Sequence, residues 1–202
     1  MPINSYVEKY NEYLKKFFYE REQQYDFYKK ADNLRNAMEK AFLSKDEQGN
    51  LNRHQYRVGT KRLEEALEKA LENFDTKGIP VFKDFNSVYK FVESIRCKRF
   101  GLLTTYDVAV RIAKYLNLEV DKVYLHCGTT LGARACGLKT VRDGDTLSVD
   151  EFPAPLNQLS CDHLENFLCL YKHELANISA GVVKSCTTLK SNHSDITKKG
   201  CT

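Results

Sequence analysis

No stretch of this sequence approaches the roughly 20 consecutive apolar residues that a membrane-crossing helix needs, and no basic segment followed by an apolar run opens it. The expectation is therefore a soluble, cytoplasmic protein without membrane contact. No C-x-x-C pair occurs among the seven cysteines, at positions 97, 127, 136, 161, 169, 186 and 201, which excludes the usual zinc and dithiol spacings. An odd count cannot complete a disulfide framework either, so the thiols read as reduced and mostly as small core residues. No glycine-rich loop ends in GK[ST], which excludes a P-loop nucleotide enzyme. No cofactor and no metal site are expected.

What is present is enough apolar material for one core. The chain has 202 residues, 42% of them hydrophobic, and only four prolines to interrupt helices. One domain is expected over residues 1–171, followed by a polar, loosely held tail over 172–202 in which apolar periodicity fades. Basic residues exceed acidic ones by 31 to 27, a net charge of +4 that permits a nucleic-acid partner without demanding one.

Tyr6, Tyr10, Tyr13, Leu14, Phe17, Phe18, Tyr25 and Tyr28 recur at steps of three and four, the stripe of one long helix. Such a tyrosine stripe is a core face or, less economically, a base-stacking platform. A second helix is expected from an Asp32 cap to about Ser44, and a third from about Thr60 to Phe74, closed by Asp75, Gly78 and Pro80. Between them Arg53, Arg57, Lys61 and Arg62 form a basic cluster interleaved with His54 and Tyr56, with no acidic residue between Leu51 and Leu63. It is either a solvated helix start or a phosphate contact. A fourth helix opens at Asp84 or Asn86 and stops in the basic tract Arg96, Lys98, Arg99. The last strong helix starts at Ser160 and carries Leu164, Phe167, Leu168 and Tyr171.

KRFGLLTTYDVAVRIAKYL, Lys98 to Leu116, places two basic residues and Gly101 before an amphipathic helix. Thr104 and Asp107 have the [ST]-x-x-[DE] spacing of a capping box. Backbone N–H groups at such a helix start, backed by Lys98 and Arg99, are also suited to a phosphate.

This unit resembles the helix-hairpin-helix DNA glycosylase superfamily. Phe100 to Thr105 looks like the hairpin, Val108 to Leu116 like its second helix, and Val123-Tyr124-Leu125-His126 falls where the family carries its catalytic stretch. The hairpin has one glycine where two are usual, and Tyr124 stands where the family has its aspartate. YDVAVRIAKYL and KVYLHCGTTLGARA also look like a signature of uncharacterised bacterial proteins, which carries no activity with it. The glycosylase resemblance implies an all-α, compact multi-helix domain with its helix-hairpin-helix core over about 86–136. It also implies DNA as partner, held by phosphates at Lys98, Arg99, Gly101, Thr104 and Thr105. The implied activity is excision of a flipped base by N-glycosidic hydrolysis, or recognition of a modified base without excision. Asp107 is then the available carboxylate, His126 an acid, base or positioning group, and Tyr124 or Tyr106 a ring to stack on the base.

Beyond the hairpin, Asp121 is expected to cap a short helix or turn through Val123, Tyr124 and Leu125. A second short helix follows, with Thr129 and Thr130 as caps and Arg134 available for a second phosphate. Gly128, Gly132 and Gly137 would allow close helix packing or the approach of a ligand. The competing reading is a non-enzymatic helical protein–protein interaction domain, in which Asp107 only caps its helix and the glycines only pack.

Overall fold

A computed structural model of the protein describes residues 3–194, and the side chains of residues 6–178. The domain is mostly helical. The tyrosine stripe forms one continuous rod: α1 (Ile3–Tyr13), a π-helical segment (Leu14–Phe18) and α2 (Tyr19–Lys29). Tyr6, Tyr13, Tyr25 and Tyr28 are buried, so the stripe is core. Helix α3 (Leu34–Leu43) is capped by Asn33, whose side chain accepts the Asn36 N–H at 2.9 Å. Asp32, the expected cap, lies one residue too early for this bond. A 3-10 turn (Arg53–Gln55) leads to α4 (Thr60–Lys77), which runs three residues past Phe74 before Gly78, at φ +81°, ends it. Helix α5 (Phe85–Ser94) has a capping box between Asp84 and Ser87.

Helix α6 (Leu102–Tyr115) is the centre of the molecule, packed by α2, α3 and α5, and nearly all of its residues from Thr104 to Ala113 are buried. Its buried Arg111 donates to the Ala41 carbonyl and to Ser44 Oγ, at 3.1 and 2.6 Å, closing the C-terminus of α3 where the helix dipole favours a cation.

The all-α expectation needs one correction. Val123–Tyr124 is a strand, β1, paired antiparallel with β2 (Thr146–Leu147), Val123 opposite Leu147. A β-branched and an aromatic residue suit a strand, and the partner arrives from more than 20 residues away, beyond the reach of local periodicity. Helix α7 (Cys127–Ala135) follows, and α8 (Cys161–Ser194) lies along it. A Cβ on Gly132 would stand 2.5 Å from the Leu168 carbonyl oxygen, and one on Gly128 2.7 Å from Cys169 Sγ, so these glycines serve the α7–α8 approach. Helix α8 continues through the point where the tail was expected to begin, and buries Leu175; residues 195–202 lie outside the description. Among the described residues no helix is long and apolar enough to cross a membrane.

Candidate functional site

The capping box at Thr104 and Asp107 does not form. Because α6 starts at Leu102 with Gly101 as N-cap, Thr104 and Asp107 lie inside the helix, too far along it to cap. Both side chains turn instead to the 3-10 turn. Thr104 Oγ1 donates to Gln55 Oε1 at 3.1 Å, and Gln55 Nε2 donates to Asp107 Oδ2 at 2.6 Å. Gln55 is fully buried and serves both, while His54 Nδ1 stands 3.6 Å from Asp107 Oδ2 with its own ring half exposed. Burial alone would push the Asp107 carboxyl up, but the His54 imidazole and the charges of Arg111 and Arg21 outweigh it and hold the group below the usual carboxylate range. The Asp107 carboxylate in turn raises His54 above the ordinary imidazole value, against the lowering effect of burial. The result is an ionised carboxylate beneath a solvent-facing imidazole whose protonated form it favours, a pairing suited to acid–base work.

A second polar cluster lies deeper. Glu165, on α8, accepts from both sides: its Oε1 is 2.7 Å from His126 Nε2, and its Oε2 is 3.4 Å from Arg21 Nη2. His126 and Glu165 are each only 4% exposed at the side chain. The Arg21 guanidinium lies over the Tyr25 ring at 5.2 Å, and Lys114, 4.4 Å from the same ring centre, pairs with Asp162 at 2.7 Å. The Tyr25 and Tyr106 hydroxyls are buried and find no hydrogen-bond partner among the described residues. Burial raises both phenols well above their ordinary value, so both stay protonated. His163, also on α8, stacks on Phe18 at 4.1 Å and meets the Tyr13 hydroxyl at 2.8 Å.

The candidate residues thus divide. Asp107 belongs to the outer cluster and His126 to the inner one. Tyr124 belongs to neither; it packs among Tyr89, Phe85 and Tyr106, ring centres 4.7, 5.1 and 5.7 Å away. Tyr106 lies between the groups, its ring centre 6.0 Å from that of His126. Of the expected phosphate contacts, Lys98, Arg99 and Gly101 are exposed. The two threonine hydroxyls point inward, Thr105 Oγ1 to the Gly101 carbonyl at 3.0 Å. Arg134 places Nε and Nη2 on the Val141 carbonyl, at 3.0 and 2.7 Å, and Thr130 bonds Asp143. Thr129 does sit in the first turn of α7, its hydroxyl accepting the His126 N–H at 2.7 Å. Cys136 and Cys161 are buried; Cys127 is exposed.

Gly101 itself is required by neither backbone nor packing, for its φ is −85° and a Cβ there would meet nothing within 4 Å. No side chain caps the helix behind it. Beside it Arg99 holds φ +72°, a left-handed conformation that costs a non-glycine residue about 1–2 kcal/mol. Such strain collects at functional positions.

Sequence reasoning missed Gln55, Arg21 and Glu165. Two of them carried a signal: Arg21 falls on the aromatic stripe, three residues after Phe18 and four before Tyr25, and Glu165 falls between Cys161 and Leu168 in the same way. A charge on an apolar stripe is buried with a partner or not buried at all. Comparison with protein-family models, with curated proteins and with solved structures finds no match.

Proposed function

We propose that this chain is a DNA-binding helix-hairpin-helix protein that holds phosphate at Lys98, Arg99, Gly101 and the first turn of α6, and cleaves the N-glycosidic bond of a base presented to Asp107. The observation that carries the reading is the Asp107 carboxylate, which caps nothing, is held ionised, and is paired with an imidazole open to solvent. It lies five residues into α6, about 7.5 Å along the axis from the uncapped helix start. The reading requires the sugar of a nucleotide bound by its phosphate at the turn to reach this carboxylate, whose side chain is 11% exposed. As the bond from C1′ to the base nitrogen breaks, the electron pair leaves with the base, which takes the His54 proton. Asp107 stabilises the positive charge growing on the sugar and accepts a proton from the water that adds to C1′. His126 and Tyr124 support this site from behind rather than touching the substrate.

The test has two parts. DNA binding by the wild type and by a Lys98→Ala/Arg99→Ala/Gly101→Pro variant is measured across salt concentrations, both proteins first shown to be helical. Loss of two or three phosphate contacts flattens the slope of log affinity against log salt by about 2–3 units, at about 0.9 per contact. Duplexes bearing modified bases are then screened for release of free base by wild type and Asp107→Asn, with a fall of about 10²–10⁴-fold expected in the variant. Equal binding by the two proteins rejects the phosphate site. Binding without base release by the wild type leaves a protein that reads an unusual base and does not excise it.

A further inference from the structure

The basic cluster before α4 is far from the hairpin in sequence and beside it in space. Cys97, in the turn between α5 and α6, donates its thiol to the Arg62 carbonyl at 3.2 Å, and Gln55 joins the other end of the segment to Thr104 and Asp107. Residues 53–62 therefore lie across the start of α6, pinned at both ends. Gln55 and Val58 are buried beneath the segment, while its other long side chains face outward. Arg53, Tyr56, Arg57 and Lys61 are all exposed, Tyr56 by 62%, and Lys98 and Arg99 are exposed on the neighbouring turn. Arg62 pairs with Glu65 at 2.5 Å and Arg96 with Glu93 at 3.7 Å, but none of the other five cations forms an ion pair among the described residues. An aromatic ring set between unpaired cations has two things to offer, charge for a phosphodiester chain and a face for an unstacked base.

We propose that the Arg53–Lys61 segment is a single-stranded DNA arm of this surface, in which Arg53, Arg57 and Lys61 hold the phosphates of an unpaired stretch and Tyr56 stacks on one of its bases. This inference extends the proposed phosphate site at Lys98 to Gly101 and rests on it for the choice of DNA. A duplex contact would use the cations and leave the ring idle, because paired bases are already stacked on one another. An unpaired strand uses both.

The experiment measures binding of a fluorescent single-stranded oligonucleotide, the matching duplex and the matching RNA strand to the full chain across salt concentrations. The variants are Tyr56→Ala, Tyr56→Phe, Arg53→Ala/Arg57→Ala/Lys61→Ala and Lys98→Ala/Arg99→Ala. All these side chains are exposed, and circular dichroism checks that each variant folds. Tyr56→Ala weakens single-strand binding at least about fivefold with the duplex unchanged, and Tyr56→Phe restores it, since the ring and not the hydroxyl is used. The triple variant flattens the single-strand salt slope by about 2 units, at about 0.7 per contact. If Tyr56→Ala and the triple variant bind single strands like wild type while Lys98→Ala/Arg99→Ala loses affinity, the arm is rejected and the hairpin site survives. The reverse pattern rejects the hairpin and keeps the arm. Equal loss on duplex and single strand, tighter binding of the RNA strand, or binding of phosphatidylserine vesicles in place of DNA each overturns the assignment.

Discussion

The outer and inner polar clusters of this protein use the same kinds of residue for different ends. Each has a carboxylate and a histidine, Asp107 with His54 outside and Glu165 with His126 inside, and each is within the electrostatic reach of Arg21. The imidazole outside is half exposed at 51%, whereas the one inside is exposed by only 4%. Solvent access decides what each can do. His54 can exchange a proton with water. His126 cannot without local opening, and its bond to Glu165 ties the start of α7 to α8. Burial of a charged group costs several kcal/mol unless it is well paired, so the inner cluster is an architectural commitment that holds α2, α7 and α8 together behind the outer one.

The largest expected effect tests that division. Glu165→Ala leaves Arg21 without its carboxylate and His126 without its bond, and should cost about 3–5 kcal/mol. For a domain of this size the melting temperature would fall by roughly 6–20 °C. Chemical denaturation and thermal circular dichroism read this directly. Replacing the pair together, Arg21→Met with Glu165→Leu, should recover part of the loss, because the penalty of the single change is the uncompensated charge. A cost below about 1 kcal/mol for Glu165→Ala would mean that water already shares the inner cluster, and the distinction between the two clusters would fail.

A smaller effect asks what brings His126 to Glu165. Gly132→Ala would press a methyl group against backbone, the Leu168 carbonyl, which cannot move without α8. A cost of about 1–3 kcal/mol is expected. Gly128→Ala meets only the Cys169 sulfur, the end of a side chain that can turn away, and should cost less. In both variants the His54–Asp107 pair stays intact, so loss of the proposed base release without change in the His54 titration would place the inner cluster in a positioning role.

The helices and most of the core were legible because apolar spacing is a local property: the tyrosine stripe, the α4 face and Leu164 to Tyr171 all lie on buried faces of helices. The site was only half legible. Asp107 was singled out on two grounds, as a cap and as a carboxylate, and a helix start placed three residues earlier than the capping pattern implied removed the first. Its partners were hidden because Gln55 and His54 belong to a segment whose pairing with α6 depends on tertiary packing. The strand at Val123–Tyr124 escaped for the same reason. Arg21 and Glu165 were visible as charges on apolar stripes, and reading each stripe for its exceptions as well as its members would have found them.

The smallest expected effect on stability is also the most informative about chemistry. Asp107→Asn keeps an oxygen to accept from Gln55 and removes a charge that faces a half-exposed imidazole and lies within reach of Arg111 and Arg21, so its cost should be about 1 kcal/mol. Its effect on His54 should be larger and measurable by proton NMR of the ring. In the wild type the folded midpoint lies above the ordinary value of about 6.5. His54 therefore contributes stability that is complete below about pH 6.5 and is lost as pH rises through the folded midpoint. Asp107, whose folded value lies below that of a free aspartate, contributes stability that is present above about pH 4 and is lost as pH falls through its own folded midpoint. The two windows overlap between about pH 4 and 6.5, where carboxylate and imidazolium coexist in full. In Asp107→Asn the His54 midpoint should drop towards or below 6.5, because the raising carboxylate is gone and burial remains. An unmoved midpoint would show that His54 does not sense Asp107, and the two would then not act as an acid–base pair.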